Sequence, residues 1–252
     1  MPIPAIIVAT TGRRTVLQIA QQAMGEIGMT RPTTLTAGID ENAQQLLFLL
    51  NGLAEELVAV PLWAETRAEW LLTTTLATSY DLPADWLVPL SGTTWDRTGR
   101  WPLLGPKTPA EWQYLKSGFG VAAPQYRFRF FGGQFNLFPA PIAGLVLAQE
   151  YLSSNWIAGV NPVTPTLADV PKRRATSDAD YPIINERMLI EGLILKFLEA
   201  KGLDSTKAKD KFERMLEAAW SNSNSAPVLN LAGTPSSFLL SEWNIPNTGF
   251  GL

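Results

Sequence analysis

The sequence contains no cysteine and no histidine. Without cysteine there is no disulfide framework, no thiolate nucleophile and no sulfur ligand for a metal. Without histidine the commonest general base near neutral pH and the commonest zinc ligand are also missing. Acid–base chemistry is left to carboxylates, Lys and Tyr, and neither a cofactor nor a metal is expected. Long apolar runs are lacking too: no segment reaches the ~18 residues of a membrane span. The short apolar run Ala5 to Ala9 is followed, not preceded, by Arg13 and Arg14, the reverse of a signal peptide. A protein folded in a reducing, soluble compartment is the expectation. Charge of one sign is scarce as well, since 20 basic and 23 acidic residues leave a net −3, which exerts no global pull on nucleic acid. Walker A, dinucleotide, nucleophile-elbow and EF-hand patterns are absent. Gly118-x-Gly120 is too short to cradle a phosphate and reads as a helix stop.

What is present is enough apolar material, 46% of 252 residues, to fill a core. Thr15 and Gln18 form a T-x-x-Q capping box in front of Val16, Ile19, Ala20, Ala23, Met24 and Ile27 at helical spacing, and Gly28 can end that helix. A second helix is expected after Asp40, an N-cap with Glu41 in the first turn, running through Leu46, Leu50, Leu53 and Leu57 to Pro61. From Leu62 to about Val160 the pattern turns to tryptophan, proline, glycine and β-branched residues. Strands are expected at Trp70 to Thr75, within Tyr80 to Leu90, and at Thr93 to Arg97, Tyr126 to Phe131, Gln134 to Phe138 and Leu145 to Trp156. Gly132-Gly133 signals a tight hairpin turn, and Thr108, Pro109 and Glu111 start a helix closed by Gly118. Asn161 to Ser177 reads as a loop. Two helices follow, Pro182 to Lys201 and Ser205 to Trp220; the first is apolar around most of its circumference and should lie at the centre of a bundle. Fold and domain expectations follow from this order: an α+β protein, a four-helix bundle with an inserted β-rich domain and an extended C-terminal arm. Residues 1–61 carry the first two bundle helices, 62–160 the β-rich insertion with one short helix, 161–221 the last two helices, and 222–252 the arm.

Candidate functional residues fall in four groups. Asp81, Asp85, Asp96 and Glu111 lie among Trp86, Trp95, Trp101 and Trp112, and a glycosidase needs only two suitably spaced carboxyl groups with aromatic rings to stack on sugars. The plainer reading puts the acids in turns and a capping box and the tryptophans in the β core. Arg127 and Arg129 alternate with Tyr126, Phe128 and Phe130, so the arginines emerge on one face of a strand; a solvated or subunit-facing edge is preferred over a nucleic-acid surface, because no further basic residues lie nearby in sequence. Lys172, Arg173 and Arg174, and Lys207, Lys209 and Lys211, read as solvent faces or inter-subunit ion pairs. Lastly, the irregular stretch Ser221 to Leu252 carries Phe238, Leu239, Leu240, Trp243, Ile245 and Phe250, which are costly to leave in water and point to docking on a partner.

Several stretches, in this order, resemble the head-to-tail adaptors of short-tailed bacteriophages, the tail tubular protein A type and related head-completion proteins. They are Thr15-Val16-Leu17-Gln18-Ile19-Ala20 through Glu26-Ile27-Gly28, Tyr80-Asp81-Leu82-Pro83-Ala84-Asp85-Trp86, Trp95-Asp96-Arg97, Leu104 to Trp112, Phe138-Pro139-Ala140-Pro141, Glu150-Tyr151-Leu152-Ser153 and Glu199 to Asp204. The resemblance implies a structural virion protein and not an enzyme. It implies a ring homo-oligomer, commonly a dodecamer, at the head-to-tail interface and assembled in the host cytoplasm. The partners implied are the portal protein, docked through the C-terminal arm, and tail nozzle or tail fibre or spike proteins, with genomic DNA passing through the channel without sequence-specific binding. The rival is a peptidoglycan hydrolase or sugar-binding module of a phage tail using Asp81, Asp85 or Glu111.

Overall fold

The structure is a computed structural model that describes residues 13–37, 40–60, 63–119, 125–159 and 170–223. Helix α1 (Val16–Glu26) opens on the expected capping box, with Thr15 and Gln18 each bonded to the other's backbone N–H. Helix α2 (Glu41–Ala59) starts at Asp40, whose carboxylate accepts from Asn42 N. Helix α4 (Glu186–Ala200) begins later than the expected Pro182. Asn185 supplies the N-cap by accepting from Arg187 N and Met188 N, while Tyr181–Pro182 is extended. Helix α5 (Thr206–Ser223) follows Gly202 and Asp204, whose carboxylate accepts from Thr206 N.

These four helices share one core. Helix α4 touches α1, α2 and α5, and its Met188, Leu189, Ile190 and Leu193 are sealed from solvent together with Val16, Ile19, Leu50 and Leu53. Such a helix has apolar residues on nearly all sides because neighbours press on nearly all sides. Trp63 and Trp156 belong to this same helical core.

The β region has two packed sheets. In the first, β8 (Val146–Ser153) is the central strand. It pairs along its length with β1 (Arg67–Thr73) on one side; on the other it pairs with β3 (Trp86–Pro89) near its end and with β4 (Trp95–Asp96) near its start, and β4 pairs β5 (Trp101–Pro102). The second sheet has the order β2 (Ser79–Asp81), β7 (Gln134–Phe138), β6 (Arg127–Phe131). Leu103, Phe128, Phe135, Leu137, Leu145 and Leu147 fill the space between the sheets, with Trp70, Leu72 and Tyr80 against them. Gly132 and Gly133 have φ of 62° and 73°, the primed turn that a two-residue hairpin requires.

The long strand expected at Leu145 to Trp156 is broken: after Ser153 the chain turns and resumes as β9 (Ile157–Gly159). The loop expected at Asn161 to Ser177 is only partly irregular, since β10 (Val170–Lys172) and β11 (Tyr181–Pro182) flank β9 in a third small sheet. Asp180 holds this segment in place. Its carboxylate, buried to 2%, accepts from Lys172 Nζ (2.9 Å), Thr176 N (2.9 Å) and Ser177 N (3.0 Å), and its carbonyl accepts from Val16 N at the start of α1 (2.8 Å).

The register of β1 and β8 orients the β region. Thr73 pairs with Val146 at one end and Arg67 with Leu152 at the other, where Trp63 and Trp156 enter the helical core. The end holding Thr73 and Val146 is therefore the one away from the helices. There Thr74 Oγ1 donates to Ile142 O (2.6 Å) and Gly144 N to Thr74 O (2.8 Å), joining two loops that expose Leu76 and Ile142.

Candidate functional site

The four acids that a glycosidase would need are each engaged locally. Asp81 accepts from Gln134 Nε2 across β2 and β7 (2.9 Å). Asp85 accepts from Tyr151 Oη (3.0 Å) and Ser153 Oγ (2.6 Å), and its carbonyl from Ser154 N, so it ties the turn before β3 to the end of β8. Burial, together with the Asp85 charge and hydrogen bond, pushes the Tyr151 phenol well above its ordinary value. Asp96 is buried to 2% and accepts from Thr98 N (2.9 Å) and Gly99 N (2.8 Å), a turn closed on its own strand. Glu111 is the second half of the Thr108 capping box, and the Thr108 backbone N–H, its hydroxyl and Lys107 hold its carboxyl below the usual range. A glycosidase acid must be raised to stay protonated, so Glu111 is shifted the wrong way for that role. The stacking faces are also taken in part: Trp86 lies 4.6 Å from Tyr151 at 17°, and Trp112 is 6% exposed against Phe138. Trp101, assigned to the β core from sequence, is 41% exposed because β5 is a two-residue edge strand.

The basic runs are largely spent inside the chain. Lys172 pairs with Asp180, and Arg173 and Arg174 both reach Glu55 on α2. On α5, Lys209 pairs with Glu213 and Lys211 reaches Glu191. That last contact belongs to a cluster linking three helices. Arg187 of α4 bonds both oxygens of Glu26 on α1 and lies beside Glu191, whose side chain is 3% exposed. Oε1 of Glu191 is within ion-pair distance of Arg187 and Lys211 without hydrogen-bond alignment to either.

The arginines of β6 emerge on the outer face of their sheet as the strand period requires, while Phe128 and Phe130 point inward. Sequence reasoning missed what joins them in space. Leu103 to Lys107 runs along the free edge of β6, with Leu104 N bonded to Tyr126 O (3.0 Å) and Lys107 N to Phe128 O (2.9 Å). Helix α3 (Pro109–Tyr114) and the turn that follows are thereby laid against the outer face, with Trp112 edge-on to Phe138 and Lys116 Nζ 5.8 Å from the Phe138 ring centre. This long-range edge contact brings Lys116 over Phe138, the cross-strand partner of Arg127, so no local signal could have found it.

Among the described residues the most exposed large apolar side chains are Leu76 (76%) and Phe48 (74%), the first on the outer loops of the β region and the second on α2. Phe238, Leu239, Leu240, Trp243, Ile245 and Phe250, the residues singled out for docking, lie outside the described residues.

A family model described as SU10 adaptor protein matches residues 14–228, more than four-fifths of the chain. The chain belongs to the SU10 adaptor protein family. It is a bacteriophage head-to-tail adaptor-type protein, a structural component of the virion at the head–tail junction with portal and tail components as its partners. No curated protein matches it. The matched span of the adaptor runs from the residue before the α1 N-cap to just beyond α5, so helices α1 to α5 and both packed sheets fall within it. No helix of the adaptor among the described residues is long and apolar enough to cross a membrane.

Proposed function

We propose that this adaptor forms a ring of identical copies, a dodecamer, that joins the portal to the tail and lines the channel through which genomic DNA leaves the capsid. The observation that carries the reading is the family match over residues 14–228. In this reading α1, α2, α4 and α5 act as a four-helix bundle that forms the ring body, with the β sheets as an inserted domain facing the tail nozzle, fibres or spikes or neighbouring copies. Residues 222–252, the first two of which still belong to α5, are the arm that extends from the helix and docks on the portal, with Phe238, Leu239, Leu240, Trp243, Ile245 and Phe250 as its anchors. Kinship with the tail tubular protein A type is part of the proposal and rests on the ordered stretches quoted above, and assembly takes place in the host cytoplasm. The near-neutral balance of the chain suits a conduit in which DNA must slide and not stick.

Mass measurement of the purified protein, alone and mixed with purified portal rings, tests this directly. A single chain alone and a stoichiometric ring on the portal is the expected result; the absence of any portal complex refutes the reading. Ending the chain after Asn222 should leave a folded protein that no longer joins the portal, and unchanged portal affinity would remove the arm from the proposal.

A further inference from the structure

We propose that the outer face of the β2–β7–β6 sheet, with Arg127, Arg129 and Lys116, is the surface by which each copy touches the phosphate backbone of duplex DNA. The inference rests on the channel reading above and names the part of the molecule that serves it. Register places Arg127, Arg129 and Phe131 of β6 opposite Phe138, Asn136 and Gln134 of β7, all on the side away from the inter-sheet core. Alternate residues along a strand are ~7 Å apart, so the two guanidinium groups form a short cationic row, and Lys116 flanks Phe138 from α3.

Among the described residues none of these three cations is in an ion pair, in contrast to Lys172, Arg173, Arg174, Lys209 and Lys211. Nη1 of Arg127 is buried and has no hydrogen-bond partner among the described residues, so they leave it unmet, and Arg127 reaches phosphate through the rest of its half-buried side chain. Two acids on elements of this region are committed elsewhere, Glu111 of α3 to Lys107 and Thr108, and Asp81 of β2 to Gln134.

The aromatic rings decide between duplex and single-stranded nucleic acid. The Arg129 guanidinium lies 5.4 Å from the Phe131 ring centre, and Lys116 lies 5.7 Å from that of Trp112 and 5.8 Å from that of Phe138. Rings occupied in this way serve as platforms that hold the cations in place; Trp112 is 6% exposed and offers no stacking face, and Phe131, although 59% exposed, is a single ring where single-strand grooves stack successive bases. What such a surface presents is fixed positive charge, with the amides of Gln134 and Asn136 on the same face engaged by Asp81, Ser79 and backbone carbonyls, which suits phosphates and carries no sequence preference. Three contacts per copy also keep the attraction weak and salt-sensitive, as passage of a long duplex demands.

The experiment measures fluorescence anisotropy of a labelled random-sequence duplex with the full-length chain, titrated between ~50 and ~200 mM salt. Three phosphate contacts predict a log–log salt slope of about −2 to −3, and R129Q/K116Q should bring it to about −1 with roughly a tenfold loss of affinity at the lowest salt. Circular dichroism confirms folding, and K207Q/K209Q on α5, which removes as much charge elsewhere, should bind like the parent. Four results overturn the proposal: no binding by the parent chain, an unchanged slope in R129Q/K116Q, an equal loss in K207Q/K209Q, or tighter binding to single strands than to duplex. Portal binding by R129Q/K116Q, followed by mass, reports separately on the adaptor reading, so either can fail alone.

Discussion

Gly192 lies on α4 where α2 and α5 both press against it, and a Cβ there would sit 2.6 Å from Leu53 Cδ2 and 2.9 Å from Phe212 Cε2. Leu53 is itself only 3% exposed and has nowhere to retreat. Alanine would add about 1 kcal/mol of helix propensity, but overpacking a filled core costs about 1–3 kcal/mol, so Gly192→Ala should lower the thermal midpoint, readable by circular dichroism. The residue just before Gly192, Glu191, depends on its cationic neighbours. Arg187→Ala leaves that buried carboxylate with Lys211 alone and strips Glu26 of its ion-pair partner, leaving it Gln22, for an expected loss of about 3 kcal/mol in denaturant unfolding. Neither residue could be weighed from sequence. An apolar helix announces that it is buried, but whether a glycine marks a close crossing or a carboxylate finds a cation depends on which helices arrive from elsewhere in the chain.

Elements whose signals are local were read correctly, and those stabilised by distant partners were not. Both capping boxes, at Thr15 and Thr108, and the Gly132-Gly133 turn are written within a few residues. Gly132→Asn should therefore leave the β6–β7 hairpin nearly as stable, because asparagine tolerates positive φ, whereas Gly132→Val should cost about 1–2 kcal/mol in thermal or chemical denaturation. Strands β10 and β11 are short, proline-containing and held by β9, Asp180 and Lys172, none of which a window of sequence reveals. The same holds for the clamp at Asp178, which joins the loop after α1 to the segment before α4. Burial pushes this carboxyl up, but hydrogen bonds from the Thr34 hydroxyl, Leu35 N, the Thr36 hydroxyl and Thr36 N outweigh it and hold its pKa below the ordinary value. A lowered carboxyl contributes stability that is present above its unfolded pKa and lost as pH falls through the folded one. The adaptor should accordingly lose thermal stability below about pH 4. Asp178→Asn should be less stable at neutral pH and show a shallower acid limb; identical acid limbs would remove Asp178 from the account.

The head-to-tail adaptor type of the whole molecule was legible because ordered motifs run through most of the chain, and the family match over residues 14–228 supports that coarser reading. Of the cationic face proposed for DNA, only the alternation at Arg127 and Arg129 was legible, where the sequence favoured a solvated or subunit-facing edge; the arrival of Lys116 is not a local feature. Ring formation and portal docking remain matters for the mass and truncation experiments described above. The placement of β8 has a mechanical meaning as well. Its first residue adjoins the loops that expose Leu76 and Ile142, and three residues past its end stands Trp156, fully buried among the helices. Eight residues of extended chain reach ~27 Å and cannot lengthen under load. The strand therefore works as a tie rod: a push or pull on the outer loops is delivered to the helical core as displacement, so a tail component seated there and the helices of the same copy would shift as one coupled body.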